Sequence, residues 1–181
     1  MPVTVIATVG GSTSNSYATV AAADAYALNV VGPSASAWAA KTADQKAQAL
    51  ITATLAIDAL PFIGSLATVT QSLEWPRFNA RTSTGRLFSS DTLPTRLVNA
   101  TIITALDYSV DATSDVLSPL ANDKKRVQAG DVEVEYFAPT VNDYDAMLIG
   151  FPSFVKALLA PLLRSLSLAD YWGVGTALRG S

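Results

Sequence analysis

Basic and aromatic side chains are interleaved over one stretch of the sequence. Of the patterns in the chain, this one is best suited to bind another molecule. The set comprises Trp75, Arg77, Phe78, Arg81, Arg86, Phe88 and Arg96. Because arginine binds phosphate and aromatic rings stack on bases, the stretch could hold single-stranded nucleic acid. The same residues are also typical of a subunit interface, with Trp75 and Phe78 filling the core. In that interpretation, which we favour, the arginines pair with Glu74, Asp91 or carboxylates of a partner.

Two carboxylates, Glu133 and Glu135, alternate with valines, and this period of two predicts a β-strand with one acidic face. Such a pair could hold a cation or serve in acid–base catalysis. However, no histidine or third ligand is close in sequence, and three basic residues precede the strand at positions 124–126. We therefore interpret the carboxylates as a solvated face whose charges pair across a β-hairpin, and we expect no metal there.

The composition argues against most enzyme chemistry. The chain contains no cysteine and no histidine, so it lacks thiolate ligands, the commonest general base and any Ser-His-Asp triad. It contains no GxSxG elbow, and Gly10-Gly11-Ser12 lacks the lysine of a phosphate-binding loop. We expect a protein that is not an enzyme and that carries no cofactor.

The low charge content suggests a chain that buries part of its surface in contacts with neighbouring subunits. Half of the 181 residues are apolar, only 15% are charged and the net charge is −3. This balance favours an assembly subunit over a molecule that attracts nucleic acid as a whole. No apolar run is long enough to span a membrane and the N-terminus does not resemble a signal peptide, so we expect synthesis in a cytoplasm and no membrane partner.

Helical periodicity supplies the framework for these residues. Thr42 and Gln45 form a capping-box pattern at the start of an apolar helix that runs to Leu60, and we expect it to be the central helix. Its predicted apolar stripe is Ala47, Leu50, Ile51, Thr54, Leu55 and Asp58, with Lys46 and Gln48 facing water. A second helix is predicted from Pro94, a first-turn proline, through Tyr108.

Shorter helices and irregular segments complete the prediction. Ser16 or Thr19 can cap a helix that stops at Gly32-Pro33, and a short turn from Ser36 to Lys41 carries Trp38 as a core anchor. Pro152-Ser153 opens a C-terminal helix, or two short ones around Pro161. The fold class is mainly α: a small helical bundle with a long loop at 61–93, a β-hairpin near 124–136 and extended terminal arms. We divide the chain into an N-terminal arm (1–15), a helical domain (16–166) and a C-terminal tail (167–181).

Several short motifs, in this order, resemble a family of tailed-phage virion proteins that automated naming often labels DnaT-like single-stranded-DNA-binding. The motifs are Asn15-Ser16-Tyr17, residues 22–26, Trp38, residues 49–54, Ile57-Asp58, Gly64, Gln71, Leu73, Trp75-Pro76-Arg77, Leu93-Pro94 and residues 132–136. The resemblance covers about residues 14–163. Its members are similar in size and helical plan to head-tail connector, or head-completion, proteins.

The resemblance implies a structural subunit that forms a ring, commonly a dodecamer, beneath the portal protein in the neck of the virion. Such a ring extends the channel through which packaged DNA passes and offers a surface to the next neck or tail completion protein. The expected docking residues are Trp75, Pro76, Arg77, Arg81, Arg86, Glu133, Glu135, Tyr171 and Trp172. Two alternatives remain open: a single-stranded DNA-binding module that uses the arginine and aromatic cluster, and a tail-terminator or minor tail subunit.

Overall fold

The computed structural model describes residues 2–82, 84–110, 126–129, 132–135, 148 and 150–164. Over these residues the chain forms five α-helices, a short 3-10 turn and two separate antiparallel pairs of strands, which confirms the predicted mainly helical fold. The helices are α1 (Val20–Ala27), α2 (Pro33–Ala39), α3 (Ala43–Asp58), α4 (Thr95–Val110) and α5 (Ser153–Leu159). The strands are β1 (Ser65–Leu66), β2 (Arg77–Phe78), β3 (Arg126–Ala129) and β4 (Val132–Glu135).

Helix α3 starts where the capping pattern predicts. The Gln45 N–H donates to Thr42 Oγ1 (3.3 Å) and the Thr42 N–H donates to Gln45 Oε1 (3.0 Å). These reciprocal bonds satisfy two amides that the first helical turn leaves without a partner. The helix ends at Asp58, two residues before the predicted end at Leu60.

Helix α4, and not α3 as predicted, is the centre of the bundle. It packs against α1, α2, α3 and α5. Its buried residues are Leu97, Ala100, Thr101, Ile102, Thr104, Ala105, Leu106 and Ser109, a larger set than the five of α3. Pro94 precedes the helix instead of lying in its first turn, and its carbonyl accepts from the N–H groups of Leu97 (2.9 Å) and Val98 (3.2 Å).

Two residues of α3 have the opposite exposure from the one that the periodicity predicts. Leu55 is exposed, because α4 and α1 cover other faces of the helix. Lys46 is tucked against α1 and α2 instead of facing water: its Nζ lies 2.8 Å from Asp24 Oδ1 and 5.5 Å from the centre of the Trp38 ring. A long aliphatic stem can cover an aromatic ring while the ammonium group keeps a charged partner.

The first two helices also differ from their predicted bounds. Thr19 caps α1, accepting from the Ala22 N–H (3.1 Å), but the helix ends at Ala27, well before Gly32. Pro33 then opens α2, which reaches Ala39, so the predicted turn at 36–41 is the second half of a helix. Trp38 is buried on this helix, as predicted.

The buried side chains form two clusters that α4 joins. One surrounds Trp75 and includes Tyr17, Ile57 and Leu97; the other surrounds Trp38 and includes Leu50, Ile102 and Leu106. Because Leu97 lies in the first cluster and Ile102 and Leu106 lie in the second, the early turns of α4 face the long loop. Its later turns face α1 and α2.

The segment before α1 is held against the body without forming a strand. The Val3 N–H donates to the Asp44 carboxylate (3.2 Å). Asn15 closes the segment on itself, since its Oδ1 accepts from the Ile6 N–H (2.7 Å) and its Nδ2 donates to the Thr4 carbonyl (2.9 Å). These contacts fix the backbone that leads to Tyr17.

The last described residues return to the start of the long loop. Helix α5 is followed by a 3-10 turn at Ala160–Leu162, which matches the predicted interruption at Pro161. The Ile63 N–H donates to the Leu162 carbonyl (3.0 Å) and the Arg164 N–H donates to the Pro61 carbonyl (2.8 Å). The predicted tail, 167–181, lies outside the described residues.

Candidate functional site

Trp75 is a core residue of the long loop. Its side chain is 1% exposed, and its ring meets the rings of Phe62 (5.8 Å) and Phe88 (5.7 Å) edge to face. Trp75 therefore has no free face on which a base could stack. Phe78, which the sequence placed beside it in the core, is instead 62% exposed, so that expectation is wrong. Strand β2 ends with Phe78 on the solvent side of the loop.

Pro76 is buried next to Trp75, and the peptide bond between them is cis. The Pro76 carbonyl accepts from the Ala67 N–H (3.2 Å) and from Gln71 Nε2 (3.0 Å), which also donates to the Leu73 carbonyl (2.6 Å). Gln71 therefore cross-links the two sides of the turn that carries Trp75. Its place in the Gln-x-Leu-x-Trp motif reflects this structural function.

Arg77 is 7% exposed and its guanidinium is used within the loop. Nε donates to the Ile63 carbonyl (2.7 Å), Nη2 donates to the Gly64 carbonyl (2.9 Å), and Nη1 contacts both the carbonyl (3.3 Å) and the carboxylate of Glu74. The predicted pairing with Glu74 is thus observed. A guanidinium held this way by three residues of its own loop is not available to bind a phosphate.

The close crossing of the loop at Arg77 requires a glycine at position 64. Gly64 has φ +78°, and a Cβ there would lie 2.6 Å from the Phe78 carbonyl oxygen and 2.9 Å from the Ala80 nitrogen. Any side chain at this position would push the two segments apart. The isolated Gly64 of the sequence motif is explained by this approach.

Tyr17 and Asp58 tie the N-terminal segment, the end of α3 and the long loop together. The Tyr17 hydroxyl donates to the Asp58 carboxylate and accepts from the Trp75 N–H (3.2 Å), while the same carboxylate accepts from the Glu74 N–H (2.9 Å). Burial raises the pKa of the Asp58 carboxyl above its ordinary value. Burial, with the adjacent Asp58 charge, also raises the pKa of the Tyr17 phenol.

Residue-by-residue reasoning missed Tyr17 and Asp58 as functional partners, because they lie 41 positions apart in the sequence. The signal that could have found them was present: both belong to short motifs that carry the family resemblance. A second link to the same loop comes from Ser72, whose N–H donates to the Gly11 carbonyl (3.1 Å) and whose Oγ lies 2.5 Å from the Ser14 carbonyl oxygen.

The outer end of the long loop, residues 78–82 and 84–87, is here called the loop tip; within it, Ala80 is buried in the core. Arg81 and Arg86 lie in it and are exposed, as are Phe78 and Leu87. The Thr82 N–H donates to the Arg86 carbonyl (2.9 Å), which closes the tip, and Arg81 Nε donates to Asn79 Oδ1 (3.3 Å). The structure thus separates the predicted docking residues: Trp75, Pro76 and Arg77 form a buried base, and Arg81 and Arg86 lie at the surface.

The other predicted docking residues lie elsewhere. Strands β3 and β4 pair antiparallel, with Glu135 opposite Arg126 and Glu133 opposite Gln128. The β-hairpin is therefore confirmed for 126–129 and 132–135. Its register agrees with one of the expected cross-strand charge pairs. Tyr171 and Trp172 lie outside the described residues. Within the described part of the chain, no group of three or more acidic side chains could hold a metal ion.

None of the helices that the structure describes is both long enough and apolar enough to cross a bilayer.

Comparison with known proteins identifies a family. A family model described as "Putative DnaT-like ssDNA binding protein" matches residues 1–180. The chain belongs to this family. No curated protein and no solved structure matches it. The description of this DnaT-like family agrees with the single-stranded DNA-binding alternative drawn from the sequence, and it does not mention a phage connector.

Proposed function

We propose that the chain is a structural, non-enzymatic subunit of a tailed-phage neck, which assembles as a head-tail connector ring on the portal protein. In this proposal the subunit acts by shape and by repeated contacts. It binds the portal on one side and a neck or tail completion protein on the other, and packaged DNA passes through the ring, commonly of twelve copies. Closure of a ring adds many weak lateral contacts into one stable assembly.

The observation that carries the proposal is that the long loop buries some of its basic and aromatic side chains and exposes large apolar ones. Two side chains of the basic and aromatic stretch, Trp75 and Arg77, are buried, and the Arg77 guanidinium donates to carbonyls of its own loop. Large apolar side chains are instead exposed along the same loop, namely Leu66, Val69, Phe78 and Leu87. Exposed apolar side chains on a braced loop are typical of a surface that docks on another protein.

The test is assembly with the portal of the same phage. We expect light scattering and two-dimensional class averages to show a ring on the portal, and Phe78→Ser to weaken attachment. Phe154→Ser is the matched control, because Phe154 is also 62% exposed but lies on α5. A monomer that ignores the portal would contradict the proposal, and a six-fold ring bound to tail tube would indicate the tail-terminator alternative instead.

The family description favours a second candidate, single-stranded DNA binding. Among the described residues, the loop tip supports this candidate best, because Arg81 and Arg86 are exposed there and could contact phosphates while Phe78 could stack on a base. Two cations on a chain of net charge −3 provide a small electrostatic contribution. The candidate is tested by measuring the affinity for a labelled oligonucleotide as a function of salt.

A further inference from the structure

A shallow apolar hollow lies between α1 and α2, beside the buried cluster that surrounds Trp38. It measures about 270 Å³, and its apolar walls are Ala27, Leu28, Ala35, Trp38 and Ala39. The small alanine side chains leave room next to the tryptophan ring. Since an apolar cavity of about 150 Å³ can hold benzene, a space of this size can admit a phenyl ring. Leu28 is 88% exposed, so the hollow is open to a partner.

Asp24 also lines the hollow and keeps one carboxylate oxygen open. Its Oδ1 accepts from Lys46 Nζ (2.8 Å) and from Trp38 Nε1 (2.8 Å). Its Oδ2 has no hydrogen-bond partner among the residues that the structure describes, and the side chain is 45% exposed. Burial raises the pKa of Asp24, but the hydrogen bonds from Lys46 and Trp38 together outweigh it and hold the pKa below its ordinary value. The carboxylate is therefore ionised at neutral pH. Because a carboxylate offers about four acceptor sites, it can accept from a second cation.

A partner that suits the hollow combines an apolar ring with a cationic donor, and the loop tip carries both. Phe78 is 62% exposed and Leu87 is 52% exposed. The Arg86 guanidinium makes no hydrogen bond or ion pair with the part of the chain that the structure describes. The Thr82 N–H donates to the Arg86 carbonyl (2.9 Å), which ties the backbone that presents these side chains. A guanidinium presented in this way can donate to an open carboxylate oxygen.

We propose that the loop tip of one copy docks in the hollow between α1 and α2 of the next copy, with Phe78 in the hollow and Arg86 on Asp24 Oδ2. The tip does not fill the hollow of its own chain, because Phe78 and Leu28 are both exposed in the single chain. Charge complementarity selects this occupant: a free guanidinium meets an open carboxylate oxygen, whereas a phosphate would be repelled there. The contact joins two different surfaces, so it repeats from copy to copy and can close a ring. It rests on the proposed function as a ring subunit and names the partner of the loop tip.

Cross-linking tests the contact directly, because the chain has no native cysteine. Two single variants, Leu28→Cys in the hollow and Leu87→Cys in the loop tip, are prepared separately, mixed and treated with a short bis-maleimide. We expect a product of twice the 18.9 kDa monomer mass in the mixture, and much less of it from either variant alone. Phe154→Cys mixed with Leu28→Cys is the control, because Phe154 is as exposed as Phe78 but lies on α5. Equal amounts of product from the control would overturn the proposal.

Substitutions in the loop tip test the ring and the ion pair separately. Phe78→Ser in the Leu87→Cys variant should lower the mixed product about ten-fold or more, because the buried area of the ring is lost. Phe154→Ser should not change it. Arg86→Glu should lower the product about five-fold, as expected for an exposed ion pair, and Arg96→Glu is the matched control because Arg96 is exposed on α4. All four variants should keep the native melting temperature. An undiminished product from Phe78→Ser or Arg86→Glu would overturn the proposal.

The double variant Leu28→Cys/Leu87→Cys distinguishes the possible occupants of the hollow. A ladder of multimers is expected from contacts between copies. A cross-linked monomer with both thiols consumed would overturn the proposal, because the tip would then reach the hollow of its own chain. Dimers of Leu28→Cys alone, in the amount found in the mixture, would overturn it too, since they indicate a symmetric contact between two hollows. A photoreactive maleimide on Leu87→Cys that labels only the portal would make the portal the partner of the tip and would also overturn it.

Ring formation is measured separately, by light scattering with the portal, so the two proposals can fail independently. Rings without the mixed cross-link would overturn the contact between tip and hollow and leave the proposed function intact. The mixed cross-link without a portal-bound ring would support the contact between copies and contradict the connector function.

Discussion

The Tyr17 hydroxyl donates to the Asp58 carboxylate at the C-terminal end of α3. Each group also accepts a hydrogen bond from the backbone of the long loop: the hydroxyl from the Trp75 N–H and the carboxylate from the Glu74 N–H. This relationship joins three segments that are distant in sequence. It also places the Asp58 carboxyl at a partly buried helix C-terminus, where burial and the helix dipole both disfavour its charged form. The pair therefore orders the loop through hydrogen bonds at an electrostatic cost.

Replacing Asp58 separates these two effects. Asp58→Asn keeps an oxygen acceptor for the Glu74 N–H and removes the charge, so we expect a variant at least as stable as the native protein at neutral pH. Asp58→Ala leaves the Tyr17 hydroxyl and the Glu74 N–H without their acceptor, which costs about 1–3 kcal/mol. Denaturant unfolding at pH 7 measures both values, and equal losses for the two variants would contradict this explanation.

The pH dependence of stability provides a test of sign. The pKa of Asp58 is raised in the folded protein from 3.8, so the folded state binds this proton more tightly than the unfolded state does. The resulting stabilisation is fully present below pH 3.8 and is lost as the pH rises through the folded pKa. Relative to Asp58→Asn, the native protein should therefore lose free energy of unfolding over that range. A difference that does not change with pH would count against the raised pKa.

Trp75 and Phe78 should respond differently to truncation, although they are three residues apart. Trp75→Ala removes a ring buried between Phe62 and Phe88, and we expect it to destabilise the protein by about 3–5 kcal/mol and to impair assembly. Phe78→Ala should change stability by no more than about 0.5 kcal/mol, because that ring is largely exposed. Soluble Trp75→Ala protein that forms native rings on the portal would contradict the bracing function of this residue.

The contrast between Trp75 and Phe78 shows what the sequence could and could not predict. Local features were predictable: the capping box at Thr42 and Gln45, the apolar period of α4 and the strand alternation before Tyr136 depend on neighbouring residues. The sequence could not predict which aromatic side chain of the long loop is buried in the core. That outcome depends on tertiary contacts, because Arg77 binds the backbone carbonyls of residues 63 and 64.

The same reason explains the errors on α3 and in the site. Lys46 lies against Trp38 because α1 brings Asp24 within 2.8 Å of its ammonium group, and periodicity along α3 contains no information on α1. The site prediction selected the long loop from its composition. It could not distinguish a buried arginine from an exposed one, since the burial of Arg77 depends on the Ile63 and Gly64 carbonyls, which are more than ten residues away in sequence.

Arg77 should be required for the order of the long loop, and lysine should not be able to replace it. Arg77→Lys keeps one charge but cannot reach the Ile63 and Gly64 carbonyls and the Glu74 carboxylate together, because lysine has one donor group where arginine has a planar fork. We expect a loss of about 1.5–3 kcal/mol. Hydrogen exchange should be faster across residues 63–78. Arg81→Lys is the matched control and should leave both measurements unchanged.

The salt dependence of oligonucleotide binding tests whether the arginines of the loop tip contact phosphates. If Arg81 and Arg86 each neutralise one phosphate, the slope of log affinity against log salt should fall by about 1.4 in Arg81→Gln/Arg86→Gln, since single strands contribute about 0.7 per contact. Such a slope change, together with weaker binding by Phe78→Ser, would establish the DNA-binding candidate. Under the connector proposal we expect little binding at moderate salt and no change of slope. Arg77→Gln does not serve in this test, because it unsettles the loop that presents the other two arginines.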